Sequence, residues 1–164
     1  MFKIKEILEI HYPAISRIYE EGIATGHATF QTAAPSWQVW DNGHLTHSRL
    51  IATEQDQILG WAALGPVSGR CVYAGVAEVS IYLADAQRGR GIGEYLLTKL
   101  IESSEANDIW TLQSGIFPEN KASIRIHEKC GFRIIGYREK IGKMGDIWRD
   151  NLMLERRSRL VGQS

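Results

Sequence analysis

A mixed α+β fold, with helices covering a twisted sheet, is predicted by three observations. The segment Ala77-Glu-Val-Ser-Ile-Tyr-Leu83 alternates apolar and polar residues as a half-buried strand does. A glycine-rich turn, Arg88-Gly-Arg-Gly-Ile-Gly-Glu94, follows it and opens into the helical spacing Tyr95, Leu96, Leu97, Leu100, Ile101. Further short apolar runs of strand length flank this unit on both sides. Together they give the element order ααβββαβαββ, a layered structure of helices on a sheet.

Taken in order, Tyr12 to Glu21 is a helix, with Pro13 in its first turn and Ile15, Ile18 and Tyr19 on one face. Gly22 is placed to close it. Ala28-Thr-Phe30 is a loop, and Ser36 can cap a short helix carrying Trp37, Val39 and Trp40. Leu50 to Thr53 and Ile58 to Leu64 are two strands of a hairpin turning across residues 54–57. Val72 to Leu83 is the central strand, Gly91 to Ala106 the helix after the glycine turn, and Ile109 to Ile116 the next strand. Pro118-Glu-Asn120 starts a helix whose apolar residues are Ala122, Ile124 and Ile126, with Gly131 as its stop. Phe132 to Gly136 and Ile147 to Leu154 are the last strands. No repeat, low-complexity tract or linker interrupts the 164 residues, so one domain spanning 1–164 is expected.

Bulk composition excludes several classes of function. Apolar residues make up 44% and the formal net charge is zero, so the chain is globular and lacks the basic footprint of a nucleic-acid binder. The run Glu155-Arg-Arg-Ser-Arg159 reads as a solvated tail. Cys71 and Cys130 form neither a CxxC pair nor a zinc spacing, and His11, His27, His44 and His47 are scattered, so no metal site is expected. The N-terminus is charged throughout, unlike a signal peptide, and no run approaches the roughly 18 apolar residues of a membrane span. A cytoplasmic protein with neither membrane nor nucleic acid as partner is expected.

The chemistry gathers at the glycine turn. A strand, a glycine turn and a helix N-terminus make an anion site, because glycine lets backbone approach a ligand and the first helical N–H groups have no internal partner. The order Gly89-x-Gly91-x-Gly93 is neither the dinucleotide fingerprint nor a Walker loop. Glu78 is the candidate base: a carboxylate on a strand is out of keeping with strand preference and, set in a cleft, can take a proton from an ammonium. Its other readings are an ion-pair partner or a solvent-facing strand residue. His127 stands two helical turns after Asn120, on a similar face, either as a proton donor or as a structural histidine. Asn120 is a natural helix N-cap.

Arg88-x-x-Gly91-x-Gly93 matches the signature R/Q-x-x-G-x-G/A, and Asn120-Lys-Ala-Ser-Ile-Arg-Ile-His127 followed by Gly131-Phe132 matches a second block in the right order. On these residues the chain resembles the GCN5-related N-acetyltransferase (GNAT) family. Ile18-Tyr19, Ala28-Thr-Phe30, Arg70-x-x-Tyr73-x-x-x-x-Glu78 and Trp148-Arg-Asp150 are similar to its phosphinothricin acetyltransferase-like branch. The resemblance implies the GNAT acyl-CoA fold and acetyl-CoA as co-substrate. It implies that the turn Arg88, Gly89, Arg90, Gly91, Ile92, Gly93, Glu94 holds the pyrophosphate, and that Asn120 and Ser123, with backbone groups of Ile81 and Leu83, meet the pantetheine arm. It implies Glu78 as base and position 127, commonly tyrosine in the wider family, as acid. Arg70 and Tyr73 would contact the acceptor, an arginine suiting a carboxylate or phosphinate; the other reading of Arg70 is a loop arginine. The branch often carries a second basic residue two positions earlier, where this chain has Ser68. Phe30 is either a wall of the acceptor pocket or a core residue, and Trp148 and Asp150 fall near the acceptor end.

The resulting expectation is an acetyl-CoA-dependent N-acetyltransferase for a small amino-acid-like amine, working by direct transfer in a ternary complex because no Cys–His nucleophile pair is evident. The branch implies a homodimer and a detoxifying role toward phosphinothricin or methionine sulfoximine. The rivals are acetylation of a protein N-terminus or another amine, and a CoA-binding sensor module without turnover, which would need neither Glu78 nor Arg70.

Overall fold

The computed structural model describes residues 1–164. Seven strands form one sheet, in the order β1-β2-β3-β4-β5-β7-β6, with four helices against it. The strands are β1 (Lys3–Glu6), β2 (Leu50–Glu54), β3 (Gln57–Pro66), β4 (Val76–Leu83), β5 (Thr111–Ile116), β6 (Arg133–Met144) and β7 (Ile147–Arg157). The helices are α1 (Tyr12–Ala24), α2 (Trp37–Asn42), α3 (Ile92–Ala106) and α4 (Lys121–Lys129). Every strand pair is antiparallel except β4 with β5.

Both faces of the sheet are covered. Trp61 and Ala63 of β3 point to one side, with Ile15 and Ile18 of α1 and Trp40 of α2; Ala62 and Leu64 point to the other, with Leu96, Leu97 and Leu100 of α3. The uninterrupted apolar run Trp61–Leu64 is how a strand buried on both faces reads. Ser36 caps α2 as expected, its hydroxyl accepting from the Val39 amide at 3.3 Å.

The feature that matters most for function is a parting of the sheet. β4 and β5 pair only from Val76–Glu78 to Thr111–Gln113. Beyond that β4 stays on β3, while β5 turns to β7. The second half of β4 therefore has one edge without a strand partner, and a cleft opens beside it.

Four expectations about elements are corrected. β1 was not anticipated: Lys3-Ile4-Lys5-Glu6 is too charged to read as a strand, and it forms as an edge paired to β2 alone. α1 does not stop at Gly22 but runs on to Ala24. The central strand starts at Val76, since Cys71–Tyr73 is a single 3₁₀ turn. β6 reaches Met144 rather than Gly136 and pairs with β7 as a long hairpin, interrupted by a register slip between Arg138 and Gly142.

Candidate active site

Two cavities lie along the parting. The first, of about 420 Å³, is walled by the end of β4, the glycine turn, the loop after α1 and the start of α4. The second, of about 580 Å³, lies on the other side, beneath Glu78 and against β5, β6 and β7. Six residues line both: Ala28, Ile81, Tyr82, Asn120, Ser123 and His127. The two spaces thus meet across one thin wall at the level of the free β4 edge.

The glycine turn has the backbone an anion site needs. Gly89 and Gly91 sit at φ +77° and +79°, and a Cβ on either would meet nothing within 4 Å, so the space in front of them is open. Gly91 is the N-cap of the 15-residue helix α3, whose first N–H groups have no partner within the helix. Gly93 answers to a different constraint. It is buried, and a Cβ there would approach Ile126 Cδ1 to 2.9 Å, so it permits the close packing of α3 on α4.

Of the residues expected at the anion and pantetheine site, Ile81, Leu83, Arg88, Gly89, Gly93, Asn120 and Ser123 line the first cavity. Arg90, Gly91, Ile92 and Glu94 do not. Arg90 turns away to Glu54 at 2.9 Å and lies over Phe2, Ile92 is fully buried in the core, and Glu94 pairs with Lys129 at 3.8 Å. Arg88 remains exposed, with Asp85 3.1 Å away.

Asn120 fulfils its capping role and adds a tether. Its Oδ1 accepts from the Ser123 amide at 3.3 Å, and its Nδ2 donates to the His27 carbonyl at 3.3 Å, tying α4 to the loop after α1. Arg149 of β7 completes that tie. Its guanidinium lies 4.2 Å over Phe117, donates to the Gly26 carbonyl at 2.8 Å and reaches His27 Nδ1 at 2.9 Å. Phe30, on the same loop, packs edge-on against Phe117 at 4.8 Å and lines the second cavity, so it is a cavity wall held from behind.

His127 is 1% exposed. Its Nδ1 lies 2.8 Å from the Ser123 carbonyl, which can only accept, so Nδ1 carries the proton and Nε2 is a bare acceptor. Nε2 is buried with no partner in the chain. Burial holds the imidazole below its ordinary pKa, against the pull of that carbonyl, so the ring is neutral near pH 7. The imidazolium expected at this position is not its resting form.

Tyr82 is the opposite case. Its ring forms a triangle with Tyr19 at 4.7 Å and Trp61 at 5.0 Å, themselves 5.7 Å apart, and burial drives its hydroxyl well above the ordinary tyrosine range, so it keeps its proton. Glu78 is exposed on the same face of β4 and lines the second cavity, two residues from Ser80 and four from Tyr82. With Tyr82 protonated, the Glu78 carboxylate and the bare Nε2 of His127 are the two groups lining this cavity that offer a site for a proton.

Arg70 and Tyr73 line neither cavity; the Arg70 guanidinium lies over the Tyr73 ring at 5.5 Å, on the exposed loop before β4. Trp148 is exposed, with Lys143 Nζ 5.8 Å from its ring. Asp150 accepts from the Tyr137 hydroxyl and, at 2.7 Å, from the Lys140 amide, so it holds the β6 irregularity rather than facing a cavity. Residues the sequence did not assign to the site are Tyr82 at the shared wall and Gln31, Gln113, Arg138 and Asn151 in the second cavity, while Ala28 of the Ala28-Thr-Phe30 motif joins that wall. Of the unassigned residues only Tyr82 carried a signal: it shares the strand parity of Glu78. Neither thiol lines either of these two cavities: Cys71 is exposed outside both, and the Cys130 thiol, raised in pKa by burial, meets the Thr98 hydroxyl and the Glu94 carbonyl.

The arrangement resembles known proteins. A family model described as the acetyltransferase (GNAT) family matches residues 9–132. A phosphinothricin N-acetyltransferase of Streptomyces coelicolor is 38% identical over 96 residues, 58% of this chain and 56% of that relative, so the match spans about half its length. An L-methionine sulfoximine/L-methionine sulfone acetyltransferase of Pseudomonas paraeruginosa is 30% identical over 147 residues, 84% of each chain. Among solved structures, a ribosomal-protein-alanine N-acetyltransferase from Brucella melitensis superposes with a TM-score of 0.87 at 28% identity, covering 95% of this chain and 99% of that one.

Proposed function

Because this chain belongs to the acetyltransferase (GNAT) family, we propose that it transfers the acetyl group of acetyl-CoA to the amine of a small amino-acid-like acceptor, of the phosphinothricin or methionine sulfoximine kind. The observation that carries this reading is the pair of cavities meeting at one wall, an anion cradle on one side and a carboxylate on the other.

The residues fit the co-substrate. The open, positive-φ Gly89 and Gly91 and the α3 N-terminus suit a pyrophosphate, with Arg88 beside them. The unpaired edge of β4 at Ile81 and Leu83 suits the amides of a pantetheine arm, as a sheet edge accepts an added strand. When bound, acetyl-CoA supplies an acyl group activated as a thioester. Glu78 accepts the proton of the acceptor's ammonium, freeing its lone pair toward the shared wall. His127 Nε2 offers an acceptor, and the Tyr82 hydroxyl a donor, to groups bound at that wall. No thiol of the chain is placed to carry the acyl group, which supports direct transfer.

Glu78→Gln tests this assignment. It should keep acetyl-CoA affinity and lose turnover, with a deficit on the order of 10²- to 10⁴-fold at neutral pH. The deficit should shrink as pH rises, since the acceptor then arrives deprotonated. Wild-type rates at neutral pH would return Glu78 to a structural role. The alternative acceptor, a protein N-terminus, is supported by the Brucella neighbour's name, and a peptide substrate run beside free amino acids separates the two.

The finer expectations belong to the same proposal: a single domain, in the cytoplasm, removing toxic amino-acid analogues as a homodimer. Pairing is supported by β6, none of whose residues is buried, and by exposed Ile134, Ile135, Tyr137, Ile141, Ile147 and Trp148 on the β6–β7 arm. Sedimentation equilibrium at micromolar concentration gives the mass that decides it. No helix is long and apolar enough to cross a membrane.

A further inference from the structure

The second cavity is lined by one carboxylate, Glu78, and one cationic side chain, Arg138. Arg138 has no carboxylate within ion-pair distance and no hydrogen bond to the rest of the chain, whereas Arg133 on the same strand pairs with Glu155 and Arg149 across the hairpin pairs with Glu119. Arg138 is exposed and lines the cavity, so its unpartnered guanidinium is available to a ligand.

Its position is built by the backbone. Arg138 is the last residue of β6 in register before the slip, opposite Asn151, and pairing resumes at Gly142. Asp150 holds the slip through the Lys140 amide and the Tyr137 hydroxyl, with Lys140 at φ +47°. A bulge of this kind re-aims the side chains beside it. Here Arg138, Ile141 and Gly142 all line the cavity. Gly142 leaves room for Phe30, whose ring atoms would stand 2.8 and 2.9 Å from a Cβ there. Gly115 of β5 does the same for Asn151, whose Oδ1 would lie 2.7 Å from its Cβ. The side-chain amides of Asn151 and Gln113 face the same space and have no partner in the chain.

We propose that Arg138, with the Asn151 amide beside it, takes the acceptor's carboxylate while Glu78 takes its ammonium, so that the cavity selects zwitterionic α-amino acids over amines lacking an acid group. This rests on the second cavity being the acceptor site. A guanidinium suits the task because its fork meets both carboxylate oxygens. The opposed charges of Arg138 and Glu78 complement the two ends of an amino acid. The placement moves the anion clamp from Arg70, outside both cavities, to the far wall formed by β6.

The test uses L-methionine sulfoximine and its carboxamide as acceptors, measured by calorimetric binding and by KM. Arg138→Ala should weaken the free acid by ~10- to 100-fold, the effect of one lost charged hydrogen bond. It should leave the carboxamide and the acetyl-CoA KM as they are in wild type, and Arg138→Lys should recover part of the loss. A circular dichroism melt unchanged from wild type shows that the variant is folded. Equal loss for acid and amide, no loss for either, or a selective loss found in Arg70→Ala and not in Arg138→Ala would overturn the assignment while leaving the acetyltransferase reading intact. A wild-type protein that acetylates other amines but binds no amino acid would overturn both the acceptor class and the clamp.

Discussion

Replacing Gly22 by alanine sets two effects against each other. Gly22 lies inside α1, where alanine is favoured over glycine by ~1 kcal/mol. A Cβ at this position, however, would stand 2.8 Å from Tyr82 Cδ1 and 3.0 Å from Cε1. The Tyr19 and Trp61 rings, packed on it at 4.7 and 5.0 Å, resist its swinging aside. Overpacking of this kind costs ~1–3 kcal/mol, so the net effect is a loss of up to about 2 kcal/mol. For a chain of this size that is a fall in melting temperature of up to roughly 8 °C. Tyr82 also lines both cavities, so its displacement should lower kcat/KM by about tenfold or more, as misplacement at a reacting site does. Circular dichroism melts and a thiol-release assay measure the two quantities. Gly22→Ala combined with Tyr82→Leu should melt higher than the sum of the single changes allows, by about 1 kcal/mol or more of coupling. A variant that melts higher than wild type and turns over normally would refute the reasoning, and Gly22 would then be an ordinary helical glycine.

Gly91→Asp should abolish acetyl-CoA binding in calorimetry, because a side chain at φ +79° is strained and its carboxylate would sit where the cradle takes an anion; unchanged affinity would remove the anion site from this turn. His127 should contribute to acid sensitivity. Burial lowers its pKa below the ordinary 6.5, so below about that pH the unfolded chain binds a proton there that the folded chain does not. Its contribution to stability is therefore present above the unfolded value and is lost as pH falls toward the folded one. His44 and His47 are shifted the same way by burial and keep part of the slope. In urea titrations from pH 8 to 5, His127→Gln should lose less stability on acidification than wild type; parallel curves would mean that His127 is not buried neutral.

Much of this site was legible because its chemistry is local. The alternation through Glu78 and the glycine turn are strand and helix-cap signals, and Asn120 followed by Ser123 is a capping signal, so each needs only its own neighbours in sequence. What could not be read depended on tertiary contact. Gly22 looks like a helix stop, but it is a contact for Tyr82, sixty residues away. Gly93 looks like part of the phosphate cradle alone, but besides lining that cavity it is the point where α3 meets Ile126. β6 was cut short at Gly136 because Arg138, Glu139 and Lys140 have no alternation; they belong to a bulge that Asp150 organises across the hairpin. Arg70 enters as a clamp only through the resemblance of Arg70-x-x-Tyr73 to a family motif, with a loop arginine as its other reading. Arg138 is the one that shares the cavity of Glu78, and nothing short of the β5–β7–β6 pairing brings those two together.

The central claim is that the chain moves an acetyl group from the cradle side of the shared wall to an amine on the Glu78 side. Incubation with acetyl-CoA and a panel of free amino acids, including L-methionine sulfoximine and phosphinothricin, followed by mass spectrometry of the acceptor, tests it most directly. The account predicts thiol release that depends on the acceptor, matched mole for mole by a product acetylated on the α-amine. Acetyl-CoA that binds but is not consumed with any amine, or is consumed without an acetylated product, would contradict it.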